Sequence, residues 1–198
     1  KIGARGAEAD DAWHTMFAAY QDKYPELSEQ FVKDFEGEID TDFSFLPQYK
    51  DGDKKASRAS GSEVLQSMAE NLDVLWGGSA DLFASNKTEI NDSDRFSKEN
   101  PAGRNLWFGV REFGEATILN GIALHGGTRV YGSTFLAFSD YMRSAIRLSA
   151  LQKLPVIYVF THDSIAVGED GPTHEPVEQV VSLQAIPNVE VIRPADAN

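Results

Sequence analysis

The segment after the apolar run 156–160 carries the densest group of side chains that could do chemistry. His162 and His174 lie in it with Asp170 between them. A histidine can donate, accept or shuttle a proton near neutral pH, so the segment is a candidate for acid–base chemistry and for binding hydroxyl groups. Two other interpretations stay open at this point. One is a turn-rich surface loop, and the other is a divalent-metal site formed by both histidines and Glu178.

Glu112 lies where the apolar run 106–108 gives way to a helical pattern. A carboxylate at the start of a helix is favoured by the helix dipole, which is a purely structural reason for its presence. The alternative is a buried acid that shares a proton with a ligand nitrogen. Spacing alone favours the structural interpretation.

Aromatic residues recur at three-residue spacing after a predicted strand, at Phe135, Phe138 and Tyr141. Such a stripe is typical of a packed core, but at the open edge of a sheet it could also clamp a flat heterocycle. Arg58 and Ser85 form a second candidate group, since a guanidinium and a hydroxyl together can grip a phosphate. The alternative for Arg58 is an ordinary solvated arginine.

Composition narrows the classes of function. The 198 residues include 18 basic and 31 acidic side chains, a net charge of −13. Binding to nucleic acid or to a membrane surface requires clustered positive charge, so we expect neither partner. The chain has no cysteine, which excludes disulfides, thiolate nucleophiles and cysteine metal sites. No apolar run reaches the ~20 residues of a membrane span and no signal-peptide pattern opens the chain, so we expect a cytoplasmic protein.

Apolar periodicity divides the chain into two parts. Residues 1–55 are polar and acidic, with an irregular connection over 37–55, and we expect them to be a linker of helical and irregular segments. From residue 56 to 198, short apolar runs alternate with helical patterns, which predicts a doubly wound, mostly parallel α/β sheet with helices on both faces. The apolar runs lie at 74–76, 106–108, 128–134, 156–160 and 189–192. Ligands of such sheets bind beyond the carboxyl ends of the strands, so we expect the chemistry there.

Several longer segments carry a resemblance to a known family. They are GGSADL at 77–82, GVREF at 109–113, NGIALHGG at 120–127, the run from FSDYMRSAIRLS at 138 to THDSI at 165, GEDGPTHEPVEQ at 168–179 and RPADAN at 193–198. Together they resemble the transketolase family over about residues 55–198, and weakly over the linker before them. The family's diphosphate- and metal-binding domain, with its Gly-Asp-Gly motif, and its C-terminal domain have no match in the sequence. We therefore expect residues 56–198 to be the central, pyrimidine-binding domain.

The resemblance implies a role for each matching residue. Glu112 corresponds to the glutamate that hydrogen-bonds the pyrimidine nitrogen of thiamine diphosphate and promotes the imino form that generates the reactive ylid. The other implied contacts are to the pyrimidine ring for Phe135, Phe138 and Tyr141, to the thiazolium for Asp81 and Leu82, to the sugar phosphate for Arg58 and Ser85, and to substrate hydroxyls, with proton transfer, for His162, Asp170 and His174. The Mg²⁺ or Ca²⁺ of the family is expected only in the domain that has no match here.

The implied reaction is the ketol transfer of the pentose phosphate pathway. A two-carbon unit passes from a ketose phosphate such as xylulose 5-phosphate to an aldose phosphate, in a homodimer whose cofactor lies between this domain and the partner's diphosphate domain. The piece alone is expected to be inactive. Two alternatives stay open: a dihydroxyacetone synthase, with formaldehyde as acceptor, and a non-catalytic dimerisation module. Two residues depart from the family pattern, since Ala166 replaces a common glycine and Glu115 a common methionine.

Overall fold

The structure is a computed structural model that describes residues 1–37, 39 and 42–198. The chain forms two compact units, Lys1–Asp40 and Thr41–Asn198. Three residues of the predicted irregular connection, at positions 38, 40 and 41, lie outside the described residues. The first unit therefore falls within the predicted linker, and the second contains the predicted α/β domain.

The first unit consists of helices α1 (Ile2–Lys23) and α2 (Pro25–Glu36). Pro25 fits the first turn of α2 because the amide proton that it lacks would have no partner within the helix there. The two helices meet through aromatic rings, with 5.6 Å between the ring centroids of Phe17 and Phe31. Trp13, Phe17 and Tyr20 recur at helical spacing in α1, and Phe17 of this set makes the contact with α2.

The second unit alternates strands with helices. Its elements are α3 (Ser57–Asn71), β1 (Leu75–Ser79), α4 (Phe83–Asn86), β2 (Asn105–Trp107), α5 (Glu112–His125), β3 (Arg129–Phe135), α6 (Ser139–Gln152), β4 (Val156–Thr161) and α7 (Gln179–Gln184). The strands form one sheet in the order β2-β1-β3-β4, and every pairing is parallel. The predicted parallel α/β sheet is confirmed.

Helices cover both faces of this sheet because successive strand residues point to opposite sides. On one face, Leu75 and Tyr131 pack against Ala69 of α3. On the other face, Val130 packs against Leu119 of α5. Helix α6 lies on the same side as α5 and shares a second apolar cluster with α7. The doubly wound arrangement predicted from the sequence is therefore present.

The last apolar run, 189–192, differs from the earlier ones. It forms no strand in the part of the chain that the structure describes, and Val189 and Val191 instead pack against the apolar cluster of α6 and α7. Strand β4 consequently ends the sheet on that side. No helix among the described residues is both long enough and apolar enough to cross a bilayer.

Candidate functional site

The predicted site residues gather at the carboxyl edge of the sheet. Asp81, Leu82 and Ser85 follow β1, Glu112 follows β2, Phe135, Phe138 and Tyr141 end or follow β3, and His162, Asp170 and His174 follow β4. Arg58 comes instead from the first turn of α3. Because all four strands are parallel, their carboxyl ends share one edge, and loops from separate parts of the chain meet there.

Arg58 connects two segments that are distant in sequence. Its Nη1 donates a hydrogen bond of 3.1 Å to the backbone oxygen of Ser85, and it lies 3.5 Å from Nε2 of His162. Arg58 thus lies beside Ser85, but the contact uses the Ser85 carbonyl and not its hydroxyl, and a phosphate site formed by the two side chains stays a prediction. The guanidinium keeps further N–H groups for a ligand, since Arg58 is exposed.

His162 occupies an unusual backbone conformation directly after β4. Its φ of 55° is left-handed, a conformation that costs a non-glycine residue about 1–3 kcal/mol and is concentrated at functional sites. The ring lies against Phe135, with 3.7 Å between the ring centroids. Burial lowers the pKa of His162, the Arg58 guanidinium lowers it further, and the charge of Asp170 opposes both effects. The neutral imidazole is thus favoured.

The aromatic stripe is partly core and partly surface. Phe135 is buried, and its ring is parallel to that of Phe138 at 5.9 Å between centroids. The ring centroid of Tyr141 lies 6.1 Å from that of Phe138, but Tyr141 is 65% exposed. The ring of His174 lies edge-on to Phe138 at 5.1 Å. The stripe therefore runs from the apolar interior to an open aromatic surface.

Glu112 is the first residue of α5, and its side chain is buried. An exposed carboxylate would satisfy the helix dipole equally well, so the dipole alone gives no reason for this burial. The structure thus keeps the second interpretation of Glu112 open, in which a buried acid faces a ligand.

Asp81 and Leu82 form the turn between β1 and α4. Asp81 is exposed and adopts a left-handed conformation with a φ of 66°. The backbone N–H of Leu82 donates to Oγ of Ser79 over 3.1 Å, which ties the turn to the end of the strand. Both residues are therefore held at the same edge as the rest of the site.

The loop after β4 is shaped by glycines. Gly168 and Gly171 have φ values of 72° and 76°, and the N–H of His174 donates to the Gly171 oxygen over 3.0 Å. Asp170 is exposed on this loop, and its charge acts on His162. The alternative metal site is not supported. Within the described residues, neither His162, His174 and Glu178 nor any other three such side chains form a group that could hold a metal ion.

An open groove borders part of the site. It has a volume of about 1530 Å³, and its lining includes Arg58, Thr161 and His162 before it continues beside β4 to residues 189–194. The Arg58–His162 pair is therefore accessible to a ligand from this side.

Glu115 is a buried acid that sequence reasoning did not select. It is fully buried in the first turn of α5. Burial raises the pKa of Glu115 to about 8, whereas the hydrogen bond from the Ser133 N–H opposes the rise and the charge of Glu112 adds to it. The helical spacing of positions 112, 115, 116 and 119 puts them on one face, and this spacing could have identified the residue.

Comparison with known proteins gives the family. Residues 53–198 match the family model described as the transketolase pyrimidine binding domain. The transketolase of Halalkalibacterium halodurans is 53% identical over 199 residues, which cover 100% of this chain and 30% of that protein. The transketolase of Bacillus subtilis is 55% identical over 194 residues, or 98% of this chain and 29% of that protein.

Solved structures agree with the sequence relatives. The transketolase of Leishmania mexicana superposes with a TM-score of 0.93 at 40% identity, over 98% of this chain and 29% of that one. The Pichia stipitis transketolase in complex with sedoheptulose-7-phosphate superposes with a TM-score of 0.92 at 39% identity, over 98% of this chain and 30% of that one. The chain thus spans about 30% of the length of the relatives that it matches. Since the match extends over nearly all of its residues, the chain belongs to the transketolase family and contains that family's pyrimidine-binding domain.

Proposed function

We propose that the second unit supplies the pyrimidine half of a thiamine-diphosphate site and part of the adjoining sugar-phosphate site. In the complete enzyme, the reaction is the transfer of a two-carbon ketol unit from a ketose phosphate, such as xylulose 5-phosphate, to an aldose phosphate. One observation carries the proposal. An unbroken series of contacts at the carboxyl edge of the sheet joins Ser85, Arg58, His162, Phe135, Phe138 and Tyr141.

The residues present fit one half of the cofactor. A flat pyrimidine needs an aromatic surface and a carboxyl group for a ring nitrogen, and the exposed ring of Tyr141 and the buried carboxyl of Glu112 provide these features. The diphosphate half needs a metal ion, for which the described residues offer no group of ligands. We therefore assign the Mg²⁺ or Ca²⁺ to a domain outside this chain. When bound, thiamine diphosphate supplies the carbon nucleophile and the electron sink of the reaction.

Glu112 has the central role on the cofactor side. Its burial keeps water from competing for the carboxyl group, which strengthens a hydrogen bond to a ring nitrogen. Phe135, Phe138 and Tyr141 orient the ring, and Asp81 and Leu82 face the thiazolium side. These roles follow the family pattern, and the shared location at one sheet edge supports them.

The substrate side combines a permanent cation with imidazoles. Arg58 suits the phosphate group because a guanidinium is always charged and can donate two parallel hydrogen bonds. His162, Asp170 and His174 bind the sugar hydroxyls, and the two histidines assist proton transfer. The complex of the Pichia stipitis relative with sedoheptulose-7-phosphate supports a sugar phosphate as the substrate class.

An exposed apolar surface around Glu112 supports a homodimer in the complete enzyme. It includes Trp107, Val110, Phe113 and Ile118, each more than half exposed. Large apolar surfaces of this kind mark interfaces. We propose that the partner's diphosphate-binding domain covers this surface and completes the cofactor site. A cytoplasmic location remains a prediction from the sequence.

A coupled assay on the full-length enzyme that carries this chain tests the proposal. With thiamine diphosphate, Mg²⁺, xylulose 5-phosphate and ribose 5-phosphate, we expect turnover that requires the cofactor. Transfer to formaldehyde but not to ribose 5-phosphate would indicate a dihydroxyacetone synthase instead. Failure to bind the cofactor in a calorimetric titration would leave only the dimerisation module.

A further inference from the structure

A buried polar network lies beneath His162, and the proposed function gives it no role. Its side chains are at most 8% exposed and belong to Ser79, Asn86, Thr88, Ser133 and Thr161. They come from β1, from α4 and the segment after it, and from β3 and β4, which are separate parts of the chain. Burying a polar group costs free energy unless the group is hydrogen-bonded, so each donor in this network is expected to face an acceptor. This requirement allows the protons of the network to be placed one at a time.

The two serines determine the orientation of the Asn86 amide. The Ser79 hydroxyl donates to the Ser133 backbone oxygen over 2.9 Å, and the Ser133 hydroxyl donates to the Gly78 oxygen over 3.0 Å. Because a hydroxyl has a single proton, both Oγ atoms can then only accept further hydrogen bonds. The Thr88 hydroxyl, 2.6 Å from Ser133 Oγ, is accordingly the donor at that contact. Nδ2 of Asn86 lies 3.2 Å from Ser79 Oγ and 3.3 Å from Ser133 Oγ. The NH₂ group of Asn86 therefore faces the serines, and Oδ1 faces the other way.

Thr161 transmits this orientation to His162. Its Oγ1 lies 2.6 Å from Oδ1 of Asn86, an acceptor, and so donates its single proton there. The same Oγ1 lies 2.8 Å from Nδ1 of His162 and must accept at that contact. Nδ1 of His162 therefore carries a proton.

Arg58 gives the same answer from the other side of the ring. A guanidinium has donors only. Its Nη1 lies 3.5 Å from Nε2 of His162, so the lone pair of the neutral ring belongs on Nε2. Two independent contacts thus indicate the same tautomer, with Nδ1 protonated and the lone pair of Nε2 beside Arg58.

We propose that Asn86 and Thr161 are positioning residues that hold His162 in the Nδ1–H tautomer, so that Nε2 alone exchanges a proton with the ligand beside Arg58. The tautomer is a property of the unliganded protein, and only the identity of the ligand, a sugar phosphate, rests on the proposed function. The tautomer of an imidazole is set by the hydrogen bond at its other nitrogen. Here the hydrogen bond at Nδ1 is made to Thr161, the last residue of β4, and Asn86 fixes its direction.

The charges around the ring agree with this role. The charged and titratable groups that act on His162 are Arg58, Asp170 and His174, and the ring also stacks on Phe135. Burial and Arg58 together lower the pKa of His162. Nε2 is therefore without a proton near neutral pH and takes one up only at lower pH or from a ligand.

The first test is ¹⁵N NMR of the histidine rings without substrate. The chain has four histidines, and His162→Gln assigns the signal. On raising the pH, we expect only Nε2 of His162 to move to the position of an unprotonated nitrogen. Thr161→Val, which lacks the hydroxyl, should give a mixture of tautomers, whereas Thr161→Ser should keep the wild-type pattern. An unprotonated Nδ1 in the wild type overturns the proposal even if the valine variant does not fold.

The second test is steady-state kinetics of the full-length holoenzyme. Thr161→Val should raise KM for xylulose 5-phosphate by about tenfold, the equivalent of one lost hydrogen bond to a charged group, and Thr161→Ser should leave KM unchanged. An unchanged KM in the valine variant would contradict the positioning role. Absence of any ketol transfer in the wild type would contradict the proposed function but not the tautomer, which the NMR measurement decides separately.

Discussion

Oε1 of Glu115 accepts a hydrogen bond of 2.7 Å from the backbone N–H of Ser133. This contact joins the first turn of α5, which also carries Glu112, to strand β3. The second oxygen, Oε2, is buried and has no hydrogen-bond partner among the described residues. A protonated carboxyl group suits this environment better than a carboxylate, because a buried charge without a partner is strongly unfavourable.

The stability of the protein should therefore depend on pH through Glu115. Its pKa is about 8 in the folded chain and 4.5 when exposed. Between these values the unfolded chain has released the proton that the folded chain still binds. The free energy of unfolding should thus be highest below pH 4.5 and fall as the pH rises towards 8, with an upper limit of about 1.4 kcal/mol per pH unit from this group.

Urea unfolding at pH 5.5, 6.5 and 7.5 measures this dependence. Glu115→Gln keeps an oxygen for the Ser133 N–H but cannot ionise, so its stability should lack the Glu115 component of the slope. Glu99→Gln, at an exposed position, is the matched control and should retain the wild-type slope. Equal slopes in the wild type and in Glu115→Gln would mean that Glu115 is ionised in the folded protein.

Gly132 is required because β3 approaches α5 closely at this point. A Cβ atom at position 132 would lie 2.4 Å from Cδ1 of Leu119 and 2.6 Å from Oε1 of Glu115. Gly132→Ala should destabilise the protein by about 1–3 kcal/mol through overpacking. Gly121→Ala is the control, since a Cβ atom added at position 121 would have nothing within 4 Å. This variant should stabilise α5 by up to about 1 kcal/mol. Thermal unfolding of the wild type and both variants measures these changes. Equal melting temperatures for the wild type and Gly132→Ala would contradict the close packing at position 132.

Some features of the site were predictable from the sequence because they follow from periodicity. Alternating apolar and helical runs required a parallel sheet, and a parallel sheet brings the segments after Ser79, Trp107, Phe135 and Thr161 to one edge. The family resemblance then supplied proposed roles for individual side chains. The parallel sheet therefore brings the candidate site residues to its carboxyl edge, as the sequence pattern predicts.

Other features depend on tertiary packing and could not be predicted in the same way. The burial of Glu115 depends on how close α5 lies to β3, which the helical pattern does not specify. The contact to Arg58 uses the backbone carbonyl of Ser85 in the short helix α4, and a backbone contact of this kind cannot be read from residue types. The run 189–192 has the composition of a strand, but its valines find apolar partners on α6 and α7 without joining the sheet.

Removal of the Glu112 carboxyl group should affect catalysis more than folding. In the full-length holoenzyme, Glu112→Ala should lower kcat by about 10²–10⁴-fold, the usual contribution of a positioned proton-transfer group. The far-ultraviolet circular dichroism should remain that of the wild type. Glu99→Ala removes an exposed carboxylate from the same domain and should leave kcat unchanged. A Glu112→Ala enzyme with the wild-type kcat would remove this residue from the proposed mechanism.

Arg58 should discriminate between donors by their phosphate group. Arg58→Ala should raise KM for xylulose 5-phosphate at least about tenfold, because hydrogen bonds between charged groups contribute roughly 1.5–3 kcal/mol. KM for unphosphorylated xylulose should change much less, since that donor has no charge for the guanidinium. Arg5→Ala, in helix α1, is the control for loss of a surface arginine. An equal rise of KM for xylulose 5-phosphate and for xylulose would show that Arg58 does not bind the phosphate group.

The chain by itself should bind thiamine diphosphate weakly and catalyse no ketol transfer. Its described residues contain no group of metal ligands to hold the diphosphate, and the apolar surface formed by Trp107, Val110, Phe113 and Ile118 is exposed. Isothermal calorimetry with thiamine diphosphate and Mg²⁺ should detect no binding at micromolar concentrations. The full-length enzyme, measured alongside, should bind under the same conditions. Turnover of xylulose 5-phosphate by the 198-residue chain alone would show that the second half of the cofactor site is not needed.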